Sequence, residues 1–374
     1  MASPLSCCSR QKVKSFSAAW QRYNSILEGR PYLPVLLFAS SNTMKGKSSF
    51  SFVIFLVIII MATISSSSDA FKVAVTGTTG RLGRQAIQLL SSKGIQTRCL
   101  LRHPIDSSVS PSIAKDAKSS EVAAYLSKLP GVSMVAGDAT DPKSCENLIE
   151  GCDAILALHG PVRPPPLQSL FCLLPESDPK HSRSVNYVAV QNLIDAAKQS
   201  KTCKRIVRVT GKGEAPTQFF SVLINMLGNM AKAFNYEGEQ LLRTSGLDYT
   251  IVRPGIMGKD DIPTDRVLAL ADNGADLPVT PVTHSQIADL CVECLDYPNS
   301  AKCTLTAMNV EPGTGEDSYA PLLAKVKADT RSFPNTLLSE HKKAARNGAA
   351  ILAAFIAVFM GGIFAVIKSI LGMF

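Results

Sequence analysis

Three glycines, Gly77, Gly80 and Gly83, form the motif with the clearest chemistry. They lie in the run Val73–Gly83 (VAVTGTTGRLG), which predicts a strand, a G-x-x-G-x-x-G turn and the start of a helix. Such a turn brings backbone amides against a dinucleotide pyrophosphate at the positive end of the helix dipole. The motif therefore predicts a nucleotide-binding loop. The alternative is a tight strand-to-helix turn that binds no ligand.

Arg102 indicates which dinucleotide would bind. An NAD site carries an acid about 20 residues beyond the glycines, where it accepts a hydrogen bond from the ribose 2′-hydroxyl. This chain has Arg102 at the end of the predicted second strand, and Arg81 inside the loop. Because a guanidinium suits a 2′-phosphate, we expect NADP(H) to be preferred over NAD(H). The alternative is an arginine that is simply solvated at a strand end.

A further group of polar residues follows the predicted third strand, in the run Gly137–Pro142 (GDATDP). Thr140 or Asp141 followed by Pro142 is typical of a helix N-cap and first turn. The Asp138 carboxylate then either meets the adenine or takes part in the turn. The residues expected to line the cofactor are Gly77, Thr79, Gly80, Arg81, Leu82, Gly83, Arg102, Asp138 and Ala139.

The elements that would position these residues alternate between strands and helices. Short β-branched runs predict strands at Lys72–Thr76, Thr97–Leu101, Ser133–Val135, Ala154–Leu158, Arg205–Thr210, Tyr249–Arg253 and Cys303–Ala307. Apolar residues at helical spacing predict helices at Leu82–Ser92, Ser119–Lys128, Pro142–Glu150, Val185–Lys198, Ala233–Thr244 and Ser285–Leu295. Strands separated by helices of about 10–15 residues imply βαβ units. The fold class is therefore α/β, with a doubly wound parallel sheet of the Rossmann type.

The charge distribution excludes a globally basic, nucleic-acid-binding domain. The chain has 374 residues and a formal net charge of +9, but residues 1–70 and 341–374 carry all of the excess. Residues 71–340 hold 28 charges of each sign and are neutral. Because a nucleic-acid surface needs a basic patch on the folded part, we expect no nucleic-acid partner.

The ten cysteines do not have the spacing of a disulfide framework. Cys291 and Cys294 form a C-x-x-C, but they lie in a predicted apolar helix. No second pair with zinc-site spacing accompanies them. Buried core thiols are the favoured interpretation, a redox or metal role is the alternative, and we expect no metal centre.

The N-terminal part resembles a targeting region. Lys45 and Lys47 precede an apolar run, Phe52–Ala62, and a Ser-rich stretch that ends at Ala70, as in a secretory signal. An uncleaved anchor is the alternative, and Met44 is an alternative start. The preceding residues, 1–43, are Ser-rich and basic and could form a transit peptide. The junction at Ala70 also resembles the signal-to-transit boundary of plastid proteins in algae with secondary plastids, but a strand is predicted to begin at once.

The C-terminal part predicts a membrane anchor. Gly348–Ile367 is 20 residues without a charge, which at about 1.5 Å per residue spans a bilayer core. A buried soluble helix is the alternative. The flanking cations Lys342, Lys343 and Arg346 favour a cytosol- or stroma-like side for the domain, whereas a cleaved signal favours the opposite side.

The predicted organisation is a leader or upstream extension (1–43), a signal peptide or anchor (44–70), an NAD(P)-binding domain (71–330), a basic linker (331–347) and a transmembrane helix (348–367). The expected location is a membrane of the secretory pathway or the plastid.

Several of these motifs together resemble the NmrA-like kind of atypical short-chain dehydrogenase/reductase. The resemblance covers residues 71–310 and rests on Thr76–Gly83, Gly137–Asp141, Leu193–Ala197 (LIDAA) and Glu239–Gly255 (EQLLRTSGLDYTIVRPG). It implies a Rossmann fold that binds a nicotinamide dinucleotide. In this family some members reduce small or isoprenoid-like substrates, while others sense the cofactor or help to assemble photosynthetic complexes.

The chain departs from the resemblance where the family's chemistry occurs. Active members carry a Tyr-x-x-x-Lys pair on the helix before Glu239, and the lysine lowers the tyrosine pKa so that it can protonate a carbonyl. Here the two positions hold Ala231 and Asn235, and none of the eight tyrosines has a lysine four residues later. Tyr236 is one residue out of register, which turns its side chain by about 100°.

Two residues are left as weak catalytic candidates. Thr210 matches the family's serine position at the end of the fifth predicted strand, and could hydrogen-bond a carbonyl oxygen. His159 follows the fourth strand, where a proton donor is a minor alternative to a structural role.

An apolar segment between the fifth strand and the Ala233–Thr244 helix has three interpretations. Gln218–Leu227 (QFFSVLINML) could be a core helix, a pocket wall for an apolar substrate, or a membrane-facing patch.

Two functions therefore remain open. One is a membrane-anchored, NADPH-dependent reductase of an apolar substrate that takes its proton from water or another donor, since orientation alone promotes hydride transfer. The other is a non-catalytic NADPH sensor or a scaffold for a membrane protein complex.

Overall fold

A computed structural model describes residues 70–371, except 107, 161–173, 259–265, 315 and 317. The predicted leader and signal segment lie outside the described residues, apart from Ala70. The described strands are β1 (Lys72–Thr76), β2 (Gln96–Leu101), β3 (Val132–Ala136), β4 (Ala154–Ala157), β5 (Arg205–Val209), β6 (Asp248–Pro254), β7 (Ile256–Met257), β8 (Val267–Ala271), β9 (Pro281–Val282) and β10 (Cys303–Val310).

Helices fill the connections between these strands. The described α-helices are α1 (Arg81–Ser92), α2 (Ser119–Leu126), α3 (Pro142–Ile149), α4 (Ala189–Ser200), α5 (Phe219–Leu227), α6 (Ala231–Thr244), α7 (His284–Asp296), α8 (Tyr319–Lys325) and α9 (Leu338–Leu371). A π-helical turn, Ser184–Val188, runs directly into α4. The described part of the chain thus has the strand–helix alternation that the sequence predicts.

The central sheet has the strand order β3-β2-β1-β4-β5-β6-β10-β8. Its strands are parallel except for β8, which is antiparallel to β10. The order reverses between β1 and β4, and ligands of such sheets bind outside the carboxyl ends of the strands at this reversal. The predicted doubly wound Rossmann fold is confirmed.

Apolar residues on both faces of the sheet explain why it is covered on two sides. In α1, the residues Leu82, Ala86, Ile87 and Leu90 recur at helical spacing and pack with α7 on one face. On the other face, α3, α4 and α6 contribute a second cluster that includes Leu148, Leu193 and Leu242. Strands buried on both faces read as continuous apolar runs, as β4 does.

Cys291 and Cys294 lie in α7 with no exposed surface. Burial raises the pKa of Cys294 to about 12 and the pKa of Cys291 well above its ordinary value, so both thiols are protonated at neutral pH. The described cysteines, which exclude Cys7, Cys8 and Cys172, are all buried and free. Their location is the one expected of core thiols.

The predicted linker, 331–347, differs from the structure. Helix α9 begins at Leu338 and continues through the predicted span without a break. Its first turns pack on α5 and α6, where Ala345 joins a buried cluster with Met226, Met230 and Phe234. The cations that suggested a linker therefore lie on the outer side of a helix whose inner side belongs to the domain.

Beyond these first turns, α9 leaves the domain. The stretch Leu338–Ile363 is long and apolar enough to cross a membrane, and its apolar part is not buried among the described residues. Ile351, Phe355 and Phe359 are all more than half exposed. Helix α9 is therefore a candidate membrane span.

Gly238 provides a test of the packing between α6 and the π-helical turn. A Cβ at this position would lie 2.3 Å from the carbonyl oxygen of Asn186. We expect Gly238→Ala to destabilise the protein by about 1–3 kcal/mol, although alanine is the better helix former. Urea denaturation in detergent measures the change. The control is Gly211→Ala, where a Cβ would meet nothing within 4 Å; equal stability of the two variants would contradict the close contact.

Candidate functional site

The glycine loop is held in its shape by two close backbone approaches. Gly77 has a φ of +74°, and a Cβ there would lie 2.6 Å from the carbonyl oxygen of Leu158. At Gly83, a Cβ would lie 2.1 Å from the carbonyl oxygen of Gly77. The first glycine therefore permits the tight turn against the end of β4, and the last one lets α1 pack on that turn.

The amino-terminal end of α1 is open. Gly80 is its N-cap, so no side chain caps the first turn, and no acidic residue lies in that turn. Gly80 and Arg81 are exposed and Thr79 is half-buried, whereas Leu82 points into the core. The hydroxyl of Thr78 donates to the carbonyl oxygen of Leu100 at 2.7 Å and ties the loop to β2. Free amides and a positive helix dipole make this end suitable for a phosphate group.

Arg102 follows β2 directly and is exposed. Arg81 is exposed as well, and neither guanidinium has a hydrogen bond or ion pair within the described ranges. Strands β1 and β2 are parallel neighbours, so both arginines lie at the carboxyl edge that carries the glycine loop. Contact of Arg81 and Arg102 with a 2′-phosphate stays a prediction.

Asp138 takes part in a turn. Its Oδ1 accepts hydrogen bonds from the backbone amide and the hydroxyl of Thr140, both at 2.8 Å. Ala139 is buried, and its carbonyl oxygen accepts from Asn192 Nδ2 at 3.0 Å. Asp141 is the N-cap of α3 and accepts from Ser144, as its position before a proline indicated. Contact of Asp138 or Ala139 with an adenine stays a prediction.

His159 is fixed at the end of β4 by two neighbours. Its Nδ1 lies 2.6 Å from Thr76 Oγ1, and its Nε2 lies 3.0 Å from an Arg208 nitrogen. Because a guanidinium only donates, Nε2 must accept, and the proton sits on Nδ1 and is donated to Thr76. Burial and the Arg208 charge lower the pKa of His159 well below its ordinary value. The imidazole is therefore neutral, and its one ring proton is already donated to Thr76.

Arg208 occupies the neighbourhood of the family's lysine position. It is fully buried, and its second terminal nitrogen donates to Asn235 Oδ1 at 3.3 Å. Burial lowers the pKa of Arg208 to about 10, so the side chain remains cationic at neutral pH. Arg208 was not among the residues predicted from the sequence. An arginine inside a strand of β-branched residues was the available signal, because a buried strand rarely carries a charge without a specific partner.

The tyrosine nearest to the expected register points elsewhere. Tyr236 is fully buried, and its hydroxyl donates to the carbonyl oxygen of Pro334 at 2.8 Å. Ala231, at the family's tyrosine position, is buried and carries no acid. Among the described residues of α6, no tyrosine–lysine pair faces the strand ends.

Thr210 is engaged in a buried ionic network. Its hydroxyl donates to Glu239 Oε1 at 2.6 Å, and Arg253 and Arg243 donate to the same carboxylate. Burial alone would raise the pKa of Glu239, but the charge and hydrogen bonds of Arg253 outweigh it and lower the pKa. The Thr210 proton is therefore directed at a carboxylate and away from a substrate.

Lys232 is a second residue that the sequence analysis missed. It follows Ala231 on α6, is half-buried, and its Nζ donates to Ser221 Oγ at 2.9 Å. Burial, together with the nearby charges of Lys212 and Arg253, lowers its pKa. A lysine in an otherwise apolar neighbourhood was visible in the sequence, but its burial depends on α5 packing over it.

Comparison with known proteins identifies the family. Residues 77–298, which are more than half of the chain, match the family described as NAD(P)H-binding. The chain belongs to this NAD(P)H-binding family. The match begins at the first glycine of the loop and ends beyond α7, and it confirms the nucleotide-binding family that the motifs resembled.

Three relatives show the range of proteins that resemble this NAD(P)H-binding chain. An uncharacterised chloroplastic protein of Arabidopsis thaliana is 25% identical over 264 residues, which cover 68% of this chain and 75% of the relative. The sanguinarine reductase of Eschscholzia californica is 26% identical over 218 residues, which cover 50% of this chain and 76% of the relative. The photosystem II assembly factor Ycf39 of Cyanophora paradoxa is 28% identical over 51% of this chain and 49% of its own length.

The half-buried His159 predicts a pH dependence of stability. Its pKa is lowered in the folded protein, so the unfolded chain, with a histidine pKa of about 6.5, binds more protons as the pH falls below that value. We expect the free energy of unfolding to fall by about 1 kcal/mol between pH 7.5 and 5.5 on account of this one residue. His159→Gln should weaken that dependence, as followed by urea denaturation at each pH.

The exposed His103 provides the matched control for this measurement. His103→Gln should leave the pH dependence of the parent chain unchanged. If His159→Gln and His103→Gln gave the same pH profile as the parent, the imidazole of His159 would not be held neutral as described.

Proposed function

We propose that the protein is a membrane-anchored, NADP(H)-dependent reductase of an apolar substrate. The observation that carries this proposal is the open amino-terminal end of α1 beside an exposed arginine at the end of β2. When bound, a reduced nicotinamide dinucleotide supplies a hydride at the carboxyl edge of the sheet. The backbone around Gly80 would hold the pyrophosphate, and Arg102 with Arg81 would hold the 2′-phosphate.

The preference for NADP(H) follows from the charge at position 102. An arginine there contributes charge-assisted hydrogen bonds to a 2′-phosphate and has no comparable partner on a 2′-hydroxyl. Because Arg102 and Arg81 have no competing partner within the described ranges, both cations are available to the cofactor. The two residues support the same assignment from adjacent elements, β2 and α1.

The chemistry of the site limits the substrate. Hydride addition to a simple carbonyl makes an alkoxide, which needs an acid. The candidates described above donate their protons elsewhere: His159 to Thr76, Thr210 to Glu239, Tyr236 to Pro334 and Lys232 to Ser221. An acceptor that is already cationic, or conjugated enough to delocalise the new charge, needs no such acid in the same step. We infer that substrates of this kind are preferred, with any later proton taken from water.

The apolar character of the substrate is supported by the surroundings of the site. Helix α5 follows the end of β5 by one loop and presents Phe219 and Phe220 to the outside. Helix α9, a candidate span, packs directly against α5. A membrane-anchored domain meets apolar molecules at high local concentration. The reductase activity named for one relative supports this class of reaction.

A non-catalytic role is the second candidate. The observation that favours it is the same commitment of His159, Thr210 and Tyr236 to structural hydrogen bonds, together with the absence of a tyrosine–lysine pair from the described part of α6. A chain with this site would bind the dinucleotide and report its redox state, or act as a scaffold for a membrane protein complex. One relative is named as an assembly factor of a photosynthetic complex, which supports the scaffold.

The compartment belongs to the same proposal. Helix α9 supports a single-pass membrane protein, and the chloroplastic location named for one relative supports a plastid membrane. The apolar run Phe52–Ala62 supports the secretory pathway instead. We propose the plastid because the supporting relative aligns over two thirds of this chain.

Arg102 provides the first test. Calorimetric titration of NADPH and NADH onto the full-length chain in detergent should show tighter binding of NADPH. Arg102→Ala should weaken NADPH binding by about 10- to 100-fold, the loss of one charge-assisted bond, and leave NADH nearly unchanged. Arg266→Ala, which removes an exposed partner of Glu311, is the control and should change neither.

Equal weakening of both cofactors by Arg102→Ala would contradict the assignment of the 2′-phosphate. Failure of the parent chain to bind either cofactor would contradict the whole proposal, since reductase and sensor both require the dinucleotide.

The second test separates reductase from scaffold by restoring the missing acid. Asn235→Lys alone would place an ammonium against the buried Arg208, so the restoring variant is Ala231→Tyr/Asn235→Lys/Arg208→Met. Under the reductase proposal it should gain about 100-fold or more in NADPH-dependent reduction of long-chain aldehydes. Phe in place of Tyr at position 231 gives the matched control, which lacks only the hydroxyl. A folded, NADPH-binding triple variant without any gain would favour the scaffold.

A further inference from the structure

Helix α5 has its apolar and polar sides in the reverse of the usual arrangement. Phe219 and Phe220 are 72% and 69% exposed, and Ile224 is also exposed. Ser221 and Asn225, by contrast, have no exposed surface. A surface helix of a water-soluble domain places its apolar side inward. Of the three interpretations of Gln218–Leu227, a core helix does not fit this outer side, although on the inner side Met226 joins the core and Val222 packs against it.

Hydrogen bonds fix α5 in this orientation. Asn225 Oδ1 accepts from the backbone amides of Lys232 and Ala233 at 3.0 and 3.1 Å. Asn225 Nδ2 lies 2.9 Å from His341 Nδ1, and Ser221 Oγ accepts from Lys232 at 2.9 Å. A rotation of α5 that buried its phenylalanines would break all of these bonds. The outward apolar side is therefore a fixed feature of the fold.

The outer side of α5 continues onto the candidate span. A Cβ at Gly348 of α9 would lie 2.4 Å from Val222 and 2.9 Å from Met226, so the two helices are in direct contact. Asn225 meets α9 at His341, whereas Val222, nearer the start of α5, meets it at Gly348. Phe219 and Phe220 precede Val222 on α5, so they lie beside the part of α9 where its apolar run begins.

The charges around this surface suit a lipid bilayer. Helix α5 carries no charged residue from Phe219 to Leu227. The exposed Lys343 and Arg346 lie on α9 in the two turns before the apolar run. Cations at this depth pair with anionic headgroups, while aromatic residues one level deeper enter the interfacial zone.

We propose that α5 is embedded in the surface of the bilayer that α9 spans, with Phe219 and Phe220 below the headgroups. This inference rests on the proposed membrane anchoring. The occupant of the apolar side is lipid, because the surface is continuous with the span and is bordered by cations. Two large exposed aromatic residues on one turn are the usual anchor of an interfacial helix.

Embedding of α5 would place the site next to the lipid phase. The loop that precedes α5 starts at Gly211, directly after Thr210 at the end of β5. His341 of α9 donates from Nε2 to the carbonyl oxygen of Gly213 in that loop at 2.8 Å. The membrane helix, the embedded helix and the edge of the site are thus joined by direct contacts. An apolar substrate would enter along α5 from the bilayer, without crossing water.

Tryptophan fluorescence with brominated lipids tests the proposal. The chain has one tryptophan, Trp20, so Trp20→Phe gives a dark background. Phe220→Trp, at an exposed position that tolerates the larger ring, is the probe of α5, and Phe355→Trp is the probe of the span. Tyr125→Trp on α2, near the far edge of the sheet, is the control. Each full-length variant is reconstituted into phosphatidylcholine–phosphatidylglycerol vesicles.

The expected result is a loss of most Phe220→Trp fluorescence with bromine near the headgroup end of the acyl chains, and less loss with bromine near the bilayer centre. Phe355→Trp should show the opposite depth dependence, and Tyr125→Trp no loss. Quenching of Phe355→Trp without quenching of Phe220→Trp would overturn the embedding of α5 and leave the anchor intact; it is also the result expected if a protein or a second copy covers α5. Quenching of neither would overturn both the embedding and the anchoring.

Discussion

The buried carboxylate of Glu239 is the interaction on which the arrangement of the site depends. It joins three elements, because Thr210 at the end of β5, Arg253 of β6 and Arg243 of its own helix all donate to it. A carboxylate buried without partners would be strongly destabilising, so these donors must stay in place. Arg253 also pairs with Glu214, which binds Arg331. The Arg243 and Arg331 guanidinium groups lie 3.7 and 4.1 Å from the ring centre of Phe333. These contacts connect the end of β5 to Arg331 and Phe333, in the segment that precedes α9.

The Glu239 network and the nucleotide loop differ in how their polar groups are paired. Among the described residues, the amides at the start of α1 and the guanidinium groups of Arg81 and Arg102 have no side-chain partner, which is the arrangement that binds an anion. The charges of the network pair with one another. Glu239 also accepts a hydrogen bond from the hydroxyl of Thr210, which matches the position of the family's serine near the reacting carbon. A site built in this way suits a dinucleotide and contributes little acid chemistry. Both proposed functions follow from that combination, and the substrate decides between them.

The parts of the fold that local patterns determine were predicted well. Strands β1 to β6 agree with the structure to within about two residues, because each is a short apolar run between turn residues. Strands β7, β8 and β9 were missed: two have only two residues each, and β8 lies in a stretch without period-two alternation. The start of α9 was placed ten residues too late, because its first turns are polar on one side. The packing of Ala345 and the hydrogen bonds of His341 to Asn225 and Gly213 show that they belong to the domain.

The candidate site also has one part that could be predicted from the sequence and one part that could not. The glycine loop and Arg102 could be located because turn chemistry and strand ends are local properties. The pairing of Arg208 with His159 joins residues 49 positions apart, and that of His341 with Gly213 joins residues 128 apart. Such contacts depend on which side of each element faces the other, and no periodicity encodes that. The orientation of α5 belongs to the same class, since its sequence suits a core helix equally well.

The absence of a break in α9 between its packed first turns and its exposed apolar stretch has a mechanical consequence. A domain joined to its anchor by a flexible tether samples a volume of solution, whereas one joined by a continuous helix stays at one height and one tilt. For a chain anchored as proposed, encounters with partners would then be confined to lateral diffusion in two dimensions. The range of molecules that reach the site would be set by how far they project from the bilayer plane.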